Sequence, residues 1–235
     1  MKAFLLAAGL GTRLRPLTNN TPKCLLPINN ETLLSFWFKL FDRHGITEVL
    51  INSHYLPEQV DHYFSENHFS QKVKICYEPK LLGSAGTVRQ NYDFIKDADE
   101  YFICYADNLT NANLTAMLKF HRERSPVLTC ALFTPTNLRD CGVVAIDEHG
   151  LVVGFEEKPA IPKSKWANAG IFIASPELIR YIPEKTPCDF GYDVMPQLVN
   201  HSYGFVLNNF LMDIGTIESY YKAQEVWPKI MKEQT

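Results

Sequence analysis

Apolar and polar positions divide the chain into short β-rich runs that alternate with helix-length segments. Residues 2–7 (KAFLLA) are apolar almost throughout, the pattern of a strand buried on both faces. Between residues 32 and 44, Leu33, Leu34, Phe36, Trp37, Leu40 and Phe41 share one helical face, and Gly45 supplies the stop. Residues 48–52 predict a second strand, and residues 56–66 a helix with Pro57 in its first turn, where an N–H has no intrahelical partner to lose. Residues 73–77 and 101–105 read as further strands, and 85–95 and 113–124 as helices. This alternation predicts βαβ units and an α/β fold whose mostly parallel sheet is covered on both faces.

After residue 125 the pattern changes. Residues 127–133, 142–146, 151–155 and 169–174 predict strands with little helix between them, hence an antiparallel or mixed addition to the sheet. The second and third of these, split by Asp147 to Gly150, read as a hairpin. Residues 193–200 and 216–232 close the chain as helices. With no repeat, low-complexity stretch or linker, the expectation is one domain over residues 1–235 with a functional seam near residue 125.

Composition narrows the partners. A formal net charge of −3 leaves no basic excess to neutralise a nucleic-acid backbone, although a pocket for a small anion needs only a few local cations. The six cysteines form no CxxC pair and no zinc spacing, so reduced thiols and a cytoplasmic setting are expected. The opening run is short for a secretory signal, and no stretch approaches membrane-spanning length.

The chemistry begins where the first strand ends, in LAAGLGTRLRPLT (residues 6–18) and NNTPKCLLP (residues 19–27). Ligands of α/β sheets bind beyond the carboxyl ends of strands, and small residues there let backbone N–H groups approach phosphate. Leu6, Ala7, Ala8, Gly9, Gly11 and Thr12 are the candidate backbone cradle; Arg13, Arg15 and Lys23 add cations within the same excursion. No GK[ST] ending is present, and the place of a third dinucleotide-type glycine holds Leu14, with Pro16 disfavouring a helix at the loop. Glycine count alone leaves an ordinary turn open.

Asp107 follows the apolar run YFICY, and Asp213 lies in MDIGT. Each has a plain alternative, Asp107 as a turn or cap before the helix near Asn113 and Asp213 as the cap of the last helix. Two carboxylates at strand ends beside a phosphate loop also make a magnesium (Mg2+) site, since this ion takes one or two carboxylates plus phosphate oxygens.

The pattern G-x-G-T-R-L-x-P-x-T…P-K-x-L-x-P, running from Gly9 to Pro27, resembles the signature of the sugar-phosphate nucleotidyltransferase family, and the similarity continues along almost the whole chain. That resemblance implies a three-layer αβα, Rossmann-like nucleotidyltransferase fold with a mixed, mostly parallel central sheet. It implies a nucleotide-binding half over about residues 1–125 and a sugar-phosphate-binding half over about residues 126–235. It also implies Mg2+ on Asp107 and Asp213, with Arg13, Lys23 and Asp107 as the catalytic set. FEEKP (residues 155–159), alone an ordinary solvated turn, then matches a sugar-hydroxyl-binding Glu157 and a Lys158 facing the sugar's phosphate. Asn108, Gly142, Asn168 and Gly170 complete the expected acceptor group. LLGSAGT (residues 81–87) is similar to the base-binding loop of guanylyltransferase members, implicating Gly83, Ser84, Gly86 and Thr87. No glutamine precedes Gln90 there, which favours GTP over a pyrimidine.

The implied reaction joins a nucleoside triphosphate to a sugar 1-phosphate, with mannose 1-phosphate first and a heptose 1-phosphate or N-acetylmuramate 1-phosphate next. The protein is expected to be a monomer or homodimer. Competing readings are an inactive nucleotide-sugar-sensing subunit, an oxidoreductase on a similar sheet, and a transferase using a non-sugar acceptor such as phosphocholine. The first is disfavoured because the Arg, Lys and Asp residues are all present; the second has no dinucleotide fingerprint; the third leaves FEEKP and NAGIF unexplained.

Overall fold

In a computed structural model, which describes residues 1–232, the chain opens with β1 (Lys2–Leu6) and continues through a short hairpin, β2 (Pro27–Ile28) and β3 (Glu31–Thr32). Then follow α1 (Leu33–Arg43), β4 (Glu48–Ser53), α2 (Pro57–Glu66), β5 (Lys72–Tyr77), α3 (Ser84–Gln90), β6 (Tyr101–Tyr105) and β7 (Asn108–Thr110). The second half holds α4 (Leu114–Arg124), β8 (Leu128–Phe133), β9 (Gly142–Ile146), β10 (Val152–Glu157), β11 (Trp166–Ala174), β12 (Ser202–Val206), β13 (Leu211–Asp213) and α5 (Ile217–Lys232). The fold is α/β, with helices on a mixed sheet whose central strands are mostly parallel.

Two compact units share these elements. The first combines Met1–Phe4, Leu81–Cys104 and Asn113–Asn208; the second combines Leu5–Lys80, Tyr105–Ala112 and Asn209–Thr235. They interleave along the sequence, which groups Asp213 with the opening loop.

Within the first unit, β11 is the hub: it pairs antiparallel with β6, β8 and β9, while β10 pairs antiparallel with β9 and β12 runs parallel to β8. Phe102, Ile103, Leu128, Leu132, Ile171, Phe172 and Ile173 are buried between the covering elements. Asn113 caps α4, its side chain accepting the Ala116 N–H at 2.9 Å, which leaves Leu114, Met117 and His121 on the buried face.

In the second unit β4 and β5 run parallel, from Glu48↔Lys72 to Ser53↔Tyr77. Thr32 caps α1 by accepting the Ser35 N–H at 3.1 Å, and Leu33, Leu34, Trp37, Phe38, Leu40 and Phe41 form the buried stripe that the sequence spacing predicts. A separate cluster packs Leu14, Leu26, Ile28, Leu33 and Leu109 against Ile214, Tyr220, Ala223 and Trp227 of the last segment.

Two predicted helices are corrected. The segment 85–95 stops as a helix at Gln90, where the Asn91 side chain donates to the Thr87 carbonyl at 3.0 Å and ends the ladder before a separate turn at Tyr92–Phe94. The segment 193–200 is a π-helical turn (Phe190–Val194) followed by a 3₁₀ turn (Met195–Leu198), since Pro196 has no N–H to continue a helix.

Candidate functional site

In the second unit the opening loop leaves β1 under close control. The Ala106 N–H donates to the Leu6 carbonyl at 3.0 Å, and the Ala7 N–H donates to Asn52 Oδ1 at 2.7 Å. Asn52 is buried and its amide donates to Glu78 Oε1 at 2.8 Å, so β4 fixes the take-off of the loop through a side chain. Leu6 and Ala7 are half-buried, Ala8 is buried, and Gly9 is exposed with open space where a Cβ would stand. Gly11 adopts φ +62°, a left-handed conformation that favours glycine. Its carbonyl accepts both the Leu14 N–H at 2.9 Å and the Thr18 hydroxyl at 2.8 Å. Exposed Thr12 and Arg13 therefore ride on one 3₁₀ turn anchored by buried Leu14, and Lys23 on another anchored by buried Cys24.

The two carboxylates are brought together by a short ladder. β13 pairs antiparallel with β7, placing Asp213 opposite Asn108, and the Ile214 N–H donates to the Asp107 carbonyl at 2.9 Å. Lys23 Nζ donates to Asp107 Oδ2 at 2.7 Å. A Cβ on Gly215 would collide with the Asp213 carboxylate and lie 3.0 Å from Arg13 Nη2, so the guanidinium flanks the same residue. The surrounding protein and then the Asp107 carboxylate push the Asp213 carboxyl up, against the pull of Lys23 and Arg13. Two anions and two cations thus converge at the loop. Neither aspartate serves as the cap of the following helix: Asn113 caps α4, and Thr216 accepts the Ser219 N–H at 3.1 Å ahead of α5.

The donor set suits a hard divalent ion. Among the described residues no group of three His, Cys, Asp or Glu side chains is placed to hold a metal, but two mutually repelling carboxylates leave the coordination to be completed by water and phosphate, as Mg2+ prefers.

The acceptor candidates lie in the first unit, except Asn108, which is buried in the second. Glu157 stands opposite Gly142 in the β10–β9 ladder, and a Cβ on Gly142 would lie 2.7 Å from Glu157 Oε2. Burial raises the Glu157 carboxyl above the usual range; Lys158 opposes the shift and Asp189 adds to it. Lys158 ends the strand at φ +48°, uncommon for a side-chain-bearing residue, with its N–H on the Cys141 carbonyl at 3.0 Å. Asn168 Oδ1 accepts the Gly170 N–H at 2.8 Å and the Cys130 thiol at 3.3 Å, shaping the irregularity between Asn168 and Phe172 in the β11–β8 pairing.

The loop before α3 is held by a segment that the sequence reading passed over. The Cys188 carbonyl accepts the Ala85 and Gly86 N–H groups at 2.9 and 3.0 Å, and Asp189 Oδ1 accepts from the Ser84 N–H and hydroxyl at 3.2 and 3.3 Å. Gly83, at φ +79°, abuts the Cys188 backbone. Gly86 and Thr87 are buried, and the Thr87 hydroxyl donates to the Gly83 carbonyl at 3.1 Å, so these two shape the loop from within. Gly83 and Ser84 stay partly accessible.

All six cysteines are free thiols, and no helix of the described residues is long and apolar enough to cross a membrane. His121, buried with Nδ1 2.8 Å from Thr129 Oγ1, has its pKa lowered to about 4 mainly by burial, a structural role.

A family model described as nucleotidyl transferase matches residues 2–229. The chain belongs to the nucleotidyl transferase family. A UTP–glucose-1-phosphate uridylyltransferase of Synechocystis sp. is 34% identical over 95% of this chain and 62% of that protein. A D-glycero-alpha-D-manno-heptose 1-phosphate guanylyltransferase of Campylobacter jejuni is 28% identical over 94% of this chain and 97% of its own length. A mannose-1-phosphate guanylyltransferase catalytic subunit beta of Dictyostelium discoideum is 27% identical over 99% of this chain and 66% of its own length. The chain thus spans about two thirds of the first and third of these relatives. A solved structure described as a glucose-1-phosphate thymidylyltransferase of Bacillus anthracis superposes with a TM-score of 0.84 at 23% identity, over 96% of this chain and 94% of that one, and bears on the fold alone.

Proposed function

We propose that this nucleotidyl transferase joins a nucleoside triphosphate to a sugar 1-phosphate, releasing pyrophosphate. The observation that carries the reading is the convergence of Arg13, Lys23, Asp107 and Asp213 at a glycine-rich loop ending a buried strand. The acceptor's phosphate oxygen is already an anion at neutral pH, so in-line attack on the α-phosphorus needs no general base, consistent with the absence of a histidine from the charge cluster. Loop N–H groups from Ala8 to Thr12 receive the triphosphate, and Arg13 neutralises the charge that builds in the transition state. Lys23, paired with Asp107 at 2.7 Å, meets the phosphates near the α-position. Asp107 and Asp213 hold Mg2+, which when bound polarises the phosphoryl oxygens. Lys158 meets the acceptor phosphate, Glu157 the sugar hydroxyls, and Gly83 with Ser84 the base.

The substrate pair we favour is GTP with mannose 1-phosphate, because residues 81–87 lack the glutamine associated with pyrimidine users. The Synechocystis relative supports a second reading, UTP with glucose 1-phosphate. Pyrophosphate release measured over a matrix of GTP, UTP, dTTP and ATP against mannose, glucose, heptose and N-acetylmuramate 1-phosphates and phosphocholine separates the two. Release with phosphocholine alone, or with no acceptor at all, overturns the proposal.

A further inference from the structure

We infer that Gly191 is a specificity-determining residue of the acceptor site, because the room left by its missing side chain is where the Glu157 carboxylate stands. A Cβ built on Gly191 would lie 2.7 Å from Glu157 Cδ and closer still to Oε2. Gly142 limits the same oxygen from β9, at 2.7 Å. What confines the carboxylate on two sides is therefore backbone.

The segment carrying Gly191 cannot retreat to make room. Immediately before it, the Cys188 carbonyl is tied to the Ala85 and Gly86 N–H groups, and the Cys188 N–H donates to the Leu82 carbonyl at 2.8 Å. Asp189 is bound to Ser84, whose hydroxyl accepts the Phe190 N–H at 2.9 Å. The Phe190 ring is fully buried and stacks on Phe172, centroids 5.1 Å apart. Beyond Gly191, Asp193 Oδ2 accepts the Asp189 N–H at 2.8 Å, its other oxygen pairs with Lys185 at 2.5 Å, and Val194 is buried. A methyl group added at Gly191 must displace the far end of a flexible carboxylate before it displaces this backbone. The same ties join the loop expected to read the base to the residue that positions the acceptor-binding carboxylate, so acceptor geometry is set from residues 188–191.

This inference rests on the proposed sugar 1-phosphate reading and deepens it. The test compares wild type, Gly191→Ala, Glu157→Asp and the double variant in steady-state pyrophosphate release over the same acceptor panel. Moving a positioning group by about 1 Å can cost on the order of 10²-fold, so Gly191→Ala should raise the KM for sugar 1-phosphate roughly 10- to 100-fold. It should leave the triphosphate KM within about twofold and change the ranking of acceptors. In the Glu157→Asp background, where the side chain is one methylene shorter, the same substitution should add less than about threefold, the non-additivity expected of two groups sharing one space. An unchanged acceptor KM in Gly191→Ala overturns the inference, as does an equal penalty in both backgrounds. Should Gly191→Ala fail to fold, the double variant decides: recovery of the fold supports a clash with the carboxylate, and continued misfolding places the clash in the backbone and refutes it. Wild type inactive with every sugar 1-phosphate would instead remove the functional reading, an outcome visible before any variant is compared.

Discussion

Replacing Asn52 with leucine tests the support beneath the phosphate loop. Asn52 is buried on β4, accepts the Ala7 N–H and donates to Glu78, which is itself only 2% exposed. Leucine keeps the branching at Cγ and is somewhat larger, so it leaves little room for a compensating water. A buried N–H left without its partner costs about 1–3 kcal/mol, so roughly that loss is expected for the Ala7 amide. For a chain of this size each kcal/mol corresponds to about 2–4 °C, so the melting midpoint should fall by roughly 2–12 °C. Urea denaturation at constant slope gives the free energy directly. Triphosphate KM should rise as well, because Ala7 is no longer anchored. Asn52→Asp separates the two halves: it still accepts from Ala7 but sets a second carboxylate against Glu78. Two facing carboxylates repel, so this variant should lose stability at neutral pH while keeping its triphosphate KM closer to that of wild type. A leucine variant within about 0.5 kcal/mol of wild type, the range of ordinary surface substitutions, would show that the loop does not depend on this network.

Further outcomes are expected at the site and beneath it. Arg13→Ala and Asp107→Ala should each lower turnover on the order of 10²–10³-fold or more with the melting midpoint retained, as checked by kinetics and calorimetry on the same preparations. Chelating divalent ions should stop pyrophosphate release, and Mg2+ should restore it with no gain from Zn²⁺, since the donor set is two carboxylates without sulfur or imidazole. The Glu157 carboxyl titrates above its ordinary range, chiefly through burial, and its anion is the form that accepts sugar hydroxyls. Acceptor kcat/KM should therefore rise with pH through that shifted pKa, and Glu157→Gln should abolish this acid limb. Thr32→Ala removes the cap of α1 and its hydroxyl's bond to Tyr63 at 2.8 Å, for a loss of about 1–2 kcal/mol by urea denaturation.

Much of this architecture is legible where a pattern is long. The α1 stripe, the all-apolar β6 and the hairpin of β9 and β10 each carry enough residues for periodicity to declare itself. The ladder that joins Asp107 to Asp213 spans only three residues a side, too short for any period, so sequence places each aspartate at a strand end without showing that they meet. Asn52 and Asp189 also escaped notice. Asn52 leaves one signal, a polar side chain inside the apolar run EVLIN, which in a buried strand demands a partner. Asp189 leaves none, because its partners are N–H and hydroxyl groups more than a hundred residues away. At Gly86 and Thr87 the pattern is ambiguous in itself: small residues near a helix start fit a ligand-facing loop and a tightly packed one equally well.

The interleaving of the two units has a consequence for how the protein is made. The chain passes between them five times, and the second unit receives its last segment only from Asn209 onward. Until that segment emerges from the ribosome, β7 has no ladder partner, and Leu14, Leu26 and Leu109 lack the Ile214, Tyr220 and Trp227 side chains that cover them. A nascent chain halted at residue 208 would hold every residue of the first unit and the whole phosphate loop, yet it would leave an apolar surface uncovered and lack Asp213. Assembly of the charge cluster is thus deferred until the segment from Asn209 onward has emerged, and until then the growing chain exposes apolar surface of the kind that favours aggregation.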